Sequence, residues 1–152
     1  IASPVYEEIL FGGKEIGVFS CSYSDVSEAS KWKHIAGGDG INNPLIVIGS
    51  RSHPSELGKK FFEDIMLITK DLEYLSKGSS LKFFDLASGK ADAYPRFAPT
   101  MEWDIAAGQA ILEALGGSVV HAETGLPLYY NKENLTNPYF IAKTKPLLAL
   151  SS

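Results

Sequence analysis

The run "PLIVIGS" at residues 44–50 constrains the fold more than any other stretch of this chain. It is apolar and rich in β-branched residues without polar alternation, the pattern of a strand buried on both faces. Such strands belong to sheets covered by helices on either side. The text that follows agrees. "HPSELGKKFFEDIMLITK" sets Leu57, Phe61, Ile65 and Ile68 at helical spacing, and Pro54 suits a first helical turn, where its missing N–H costs nothing. "DLEYLSK" reads as a short strand, and "SSLKFFDLASGK" as a helix stopped by Gly89. "ADAY" is a further strand. "WDIAAGQAILEALGG" is the clearest helix, with Ile105, Ile111, Leu112 and Leu115 available for burial and Gly116-Gly117 to end it. "SVVHA" and "NPYFIAK" close the series as strands. Alternation of this kind predicts an α/β fold, a mostly parallel sheet flanked by helices.

The beginning of the chain is different. "SPVYEEILFGGKEIGVFSCSY" predicts two strands joined at Gly12-Gly13, a β-hairpin. Residues 22–43 then turn polar and irregular, as a linker or boundary would. The expected organisation is a terminal hairpin and linker over residues 1–36, from the antiparallel sheet of a preceding domain, and a C-terminal α/β domain over 37–152. The chain opens on Ile1 in a strand-like run, which suggests part of something longer.

Bulk properties narrow the function classes. A formal charge of −4 with no Lys/Arg block argues against a nucleic-acid partner and an anionic membrane surface. No apolar run approaches the ~20 residues that a transmembrane helix needs. A single cysteine, Cys21, cannot form an internal disulfide, which fits a reducing, cytoplasmic setting, with peripheral membrane association as a variant of it.

The segment "TMEWDIAAG" (100–108) poses the functional question. Asp104 sits where a helix should begin, beside unpaired backbone N–H groups and the positive end of the helix dipole. It could be a simple cap. Yet Ala106, Ala107 and Gly108 leave the helix start nearly bare, as close approach by a phosphate or metal requires. Upstream, "DAYPRFAP" brings Arg96, a bidentate phosphate partner.

On these residues the chain resembles the inositol monophosphatase superfamily. The likeness runs through "SSLKFFDLASGKADAYPRFAPTMEWDIAAGQAILEALGG" and is carried by the W-D-x-A-A-G motif. "IGSRSH" and "GLPLYYNKENLTNPYFIA" resemble the 3'(2'),5'-bisphosphate nucleotidase branch. The resemblance implies a Mg2+-dependent, often Li+-sensitive phosphomonoesterase that hydrolyses 3'-phosphoadenosine 5'-phosphate to AMP. It implies that Asp104 is a catalytic metal ligand, and that Arg96, Lys82, Ser79 and His53 contact the nucleotide and its phosphates. Singly, each has a plainer reading: Lys82 as a solvated helix charge, Arg96 in a surface ion pair, Ser79 as a cap, His53 as part of a loop. "YNKENLTNP" reads as a structural turn.

The resemblance also exposes a deficit. The family's G-E-E and D-P-x-D-G-T/S metal motifs do not occur. Glu7, Glu8 and Asp39 read as surface charges, and Asp104 alone cannot build a Mg2+ site. The chain is therefore expected to supply the substrate-binding half of a phosphatase. Its expected partners are a bisphosphorylated nucleotide, a missing N-terminal half in cis or in trans, or copies of itself. Inositol monophosphatase or fructose-bisphosphatase activity is an alternative, as is a non-catalytic module that binds a nucleotide or a protein partner.

Overall fold

A computed structural model describes residues 1–49, 55–78 and 81–150. Strands β1 (Ala2–Ser3), β2 (Glu8–Gly13), β3 (Gly17–Ser22) and β4 (Lys33–Ile35) form an antiparallel sheet in that order. The expected hairpin is present, but its turn lies at residues 14–16 and Gly12-Gly13 belongs to the strand. A Cβ on Gly12 would stand 2.1 Å from the Gly17 carbonyl oxygen, and its φ of +130° suits glycine. The glycine serves close strand approach rather than the turn. β4 lies within the stretch expected to be irregular.

The second sheet contains β5 (Leu45–Gly49), β6 (Leu72–Ser76), β7 (Ala93–Arg96), β8 (Ser118–His121) and β9 (Phe140–Lys143), in the order β6-β5-β7-β9-β8. β5 pairs in parallel with β6 and β7, while β9 is antiparallel to both β7 and β8. Four strands thus share one direction and β9 opposes them. The expected mostly parallel sheet is observed with one reversed strand.

The helices are α1 (Glu56–Ile68), α2 (Leu81–Ala87), α3 (Glu102–Ala114) and a short α4 (Lys145–Leu150). Period-two alternation distributes each central strand between two cores. Leu45 and Val47 of β5 and Ala93 of β7 meet Phe61, Ile65 and Leu147 of α1 and α4. Ile48, Tyr94, Phe140 and Ala142 face the other way, onto Phe83, Leu86, Ile105 and Leu112 of α2 and α3. Those two helices are apolar on a second side as well, where Phe84, Ala87 and Ile111 pack on Leu10 and Val18 of the antiparallel sheet. The molecule is consequently layered: α1 and α4, mixed sheet, α2 and α3, antiparallel sheet. Helices placed between two sheets bury residues on two sides, and each fully buried large side chain there contributes about 2 kcal/mol.

This layering explains Gly108. A Cβ there would lie 2.2 Å from the Phe83 ring, so α2 and α3 can approach only because position 108 has no side chain. Helix packing accounts for that glycine, where the sequence suggested room for a phosphate.

Candidate functional site

The loop after β5 leads to α1 on one face of the mixed sheet, and the loop after β7 leads to α3 on the other. The helices that follow these neighbouring strands thus lie on opposite faces of the sheet, and open α/β sheets with this topology usually bind ligands at the carboxyl edge of such a switch point. Arg96 ends β7, Asp104 lies in the first turn of α3, and Lys82 lies in the first turn of α2.

Lys82 is not a solvated helix charge: it is 2% exposed. Its Nζ donates to the Lys77 carbonyl at 3.1 Å and stands 4.8 Å from the centroid of the Tyr94 ring. Burial, and secondarily the nearby Arg96 charge, push its ammonium down to about 8, against the opposing pull of Asp85. At neutral pH it remains mainly a cation. Arg96 is half-buried and donates from Nη2 to the Pro99 carbonyl at 3.3 Å.

Asp104 is exposed. It is the third residue of α3, and its Oδ2 accepts the N–H of the N-cap residue Met101 at 2.8 Å, the reciprocal half of a capping box. The capping contact expected of an acid here is real, although Asp104 makes it from inside the helix. Tyr94 links the three residues. Burial chiefly pushes its hydroxyl up to about 12, with Asp104 and Tyr74 adding to the rise and Arg96 opposing it. The phenol therefore stays protonated, a donor beside two cations and a carboxylate. Alternation along β7 puts residues 94 and 96 on one side, and that signal could have flagged Tyr94 in the sequence.

The start of α3 is held from behind. Glu102 accepts from the Asn131 N–H at 2.7 Å, from the Lys132 N–H at 3.2 Å, and from Lys132 Nζ. The Lys132 bond is the main reason its carboxyl lies below the ordinary range. Asn137 donates through Nδ2 to the Met101 carbonyl at 2.6 Å and to Thr100 Oγ1 at 3.1 Å. "YNKENLTNP" is thus a brace that orients the helix presenting Asp104.

His53 and Ser79 lie outside the described residues. Glu7 and Asp39 are exposed and Glu8 is half-exposed. Among the described residues no group of three or more His, Cys, Asp or Glu side chains could hold a metal ion. Asp104 by itself does not fit a complete Mg2+ centre. Among those residues, too, no helix is long and apolar enough to cross a membrane.

The fold thus brings a buried lysine, a half-buried arginine and an exposed helix-start carboxylate to the carboxyl edge of the mixed sheet. The inositol monophosphatase family model matches residues 1–149, and the chain belongs to that family. It is 44% identical over 98 residues to the 3'(2'),5'-bisphosphate nucleotidase CysQ of Escherichia coli K12, covering 64% of this chain and 37% of that protein. A 71-residue stretch is 56% identical to an uncharacterized Rhizobium leguminosarum protein, covering 43% of this chain and 74% of the other. Among solved structures, CysQ from Bacteroides thetaiotaomicron superposes with a TM-score of 0.78 at 38% identity, over 95% of this chain and 56% of that one. The chain thus spans little more than half the length of that CysQ, and less of the Escherichia coli protein.

Proposed function

We propose that this chain is the substrate-binding part of a Mg2+-dependent phosphomonoesterase acting on 3'-phosphoadenosine 5'-phosphate. The convergence of Lys82, Arg96 and Asp104 around Tyr94, at the carboxyl edge of the mixed sheet, carries the reading. Lys82 and Arg96 offset phosphate charge from a water-poor position, where each cation acts more strongly than at the surface. The Tyr94 hydroxyl donates to a phosphate or ribose oxygen. Asp104 supplies one carboxylate to the metal, and His53 and Ser79 contact the nucleotide. Bound Mg2+ would supply electrostatic stabilisation of the phosphoryl group. Similarity to proteins named 3'(2'),5'-bisphosphate nucleotidase supports the choice of nucleotide over inositol phosphate or fructose bisphosphate.

On this reading residues 1–36 continue the antiparallel sheet of a preceding domain. That domain, in cis or in trans, brings the remaining metal ligands and the groups that handle the attacking water. The setting is cytoplasmic, activity belongs to the assembly, and inhibition by Li+ is expected of it. The absence of a metal-holding cluster among the described residues favours one second reading, a module that binds the nucleotide without turnover.

Calorimetric titration with 3'-phosphoadenosine 5'-phosphate, with and without Mg2+, tests both readings, followed by a phosphate-release assay on the assembly. Binding that Mg2+ strengthens, with turnover by the assembly, is the predicted result. Metal-independent binding without turnover supports the module. Preference for an inositol phosphate overturns the substrate assignment.

A further inference from the structure

Asp85 is a buried carboxylate that the reading above leaves without a role. Its side chain is 3% exposed, and its Oδ2 accepts from Lys77 Nζ at 2.7 Å. Lys77 Nζ also approaches the Tyr6 hydroxyl at 3.3 Å, on the connection between β1 and β2. The Lys77 main chain is fixed at both polar groups. Its N–H donates to the Gly49 carbonyl at the end of β5, at 2.8 Å, and its carbonyl receives Lys82 Nζ at 3.1 Å.

We infer that Asp85 is a positioning residue for the Lys82 ammonium. Asp85 holds the Lys77 side chain, and the Lys77 carbonyl holds Lys82 at the carboxyl edge of the sheet. The inference rests on the reading of Lys82 as a phosphate ligand for its functional meaning, but not for its geometry.

Three observations favour this over a plain stabilising ion pair. The Lys77 side chain is 39% exposed, and an ion pair open to water on one side gives little net stability, so stability alone is a weak reason for Asp85 to be there. Asp85 and Lys82 are three residues apart on α2, hence on one face, and Asp85 draws the Lys82 ammonium toward its charged form. Lys77 joins the two through opposite ends of the same residue, its ammonium on Asp85 and its carbonyl on Lys82. Through Tyr6, whose ring meets Phe84 edge-on at 5.8 Å, the antiparallel sheet also bears on this clasp.

The test uses the full chain with 13C-labelled lysine, the Lys82 Cε signal being assigned by its loss in Lys82→Arg. Asp85→Asn should displace that signal and weaken binding of 3'-phosphoadenosine 5'-phosphate about tenfold, as loss of one charge-assisted contact would. The double variant Lys77→Met/Asp85→Asn removes both charges and leaves no orphaned ion. It should fold and displace the signal similarly. Ile65→Val, in the core on the far side of the sheet, controls for a general loss of stability and should leave the signal in place. A Lys82 signal unmoved in both Asp85 variants overturns the inference. If the signal moves but the wild-type chain binds no nucleotide, the positioning stands and the substrate assignment falls.

Discussion

The two edges of the mixed sheet treat their charges in opposite ways. At the amino edge, Asp92 is 1% exposed. It accepts the Ile46 N–H at 2.8 Å, and the Asn42 N–H and Asn42 Nδ2 at 3.1 Å each. Asn42 Nδ2 also reaches the Gly89 carbonyl. Every partner there is a backbone group or an amide, and the cluster ties the entry to β5 to the entry to β7. At the carboxyl edge, Lys82 and Arg96 gather like charge, and Asp104 stays exposed with a single capping bond. The first arrangement is complete within the fold, as a structural polar cluster must be. The second sets like charges near one another, with Asp85 offsetting part of the cost at Lys82, and perturbed charges of this kind are common at ligand sites.

That contrast can be broken by mutation. The largest stability loss should come from Asp92→Ala, which leaves buried N–H donors unanswered; about 3 kcal/mol is expected by urea unfolding. Gly108→Ala should follow, at about 2 kcal/mol, because its methyl meets the Phe83 ring. Lys82→Met should act in the opposite direction. Removing a buried ammonium should leave stability near pH 7 unchanged or raised by up to about 1 kcal/mol, while nucleotide binding is lost. Arg96→Ala and Asp104→Asn should change stability by no more than about 1 kcal/mol, with binding weakened in the first and Mg2+ enhancement lost in the second. If Lys82→Met destabilises as strongly as Asp92→Ala, the distinction between the edges fails.

The pH dependence sharpens the same point. Lys82 is lowered from 10.5 to about 8 in the folded chain. Below about 8 both folded and unfolded states carry the charge, and the folded state bears the cost of burying it. Between about 8 and 10.5 only the unfolded state retains the proton, so the Lys82 contribution to stability becomes more favourable as pH rises. Nucleotide affinity should do the reverse and weaken as pH rises through 8, when the ammonium that meets phosphate is lost. Paired titrations of affinity on wild type and Lys82→Met would isolate this dependence.

Much of the architecture was legible because local pattern and burial coincide. "LIVIG" predicted a two-sided strand, and β5 does divide its residues between two cores. Phe61 and Ile65 predicted the buried stripe of α1. What escaped depends on distant partners. The three residues of β4 carry no apolar alternation and exist as strand because β3 offers a free edge. The direction of β9, opposed to the rest of its sheet, is not encoded in any strand pattern. Gly108 pointed toward a ligand when read alone and toward Phe83 once α2 was in place. For the site, Arg96 and Asp104 were visible from residue type and from the family motif. The burial of Lys82 was not, because Tyr94 and the Lys77 carbonyl create it from elsewhere in the chain.

The most direct measurement is an amide and side-chain NMR titration of the chain with 3'-phosphoadenosine 5'-phosphate in the presence of Mg2+. Saturable shifts are expected at Lys82, Tyr94, Arg96 and Asp104, with Asn42 and Asp92 unmoved. Shifts confined to the amino edge, or none at the carboxyl edge at millimolar nucleotide, would contradict this placement of the site.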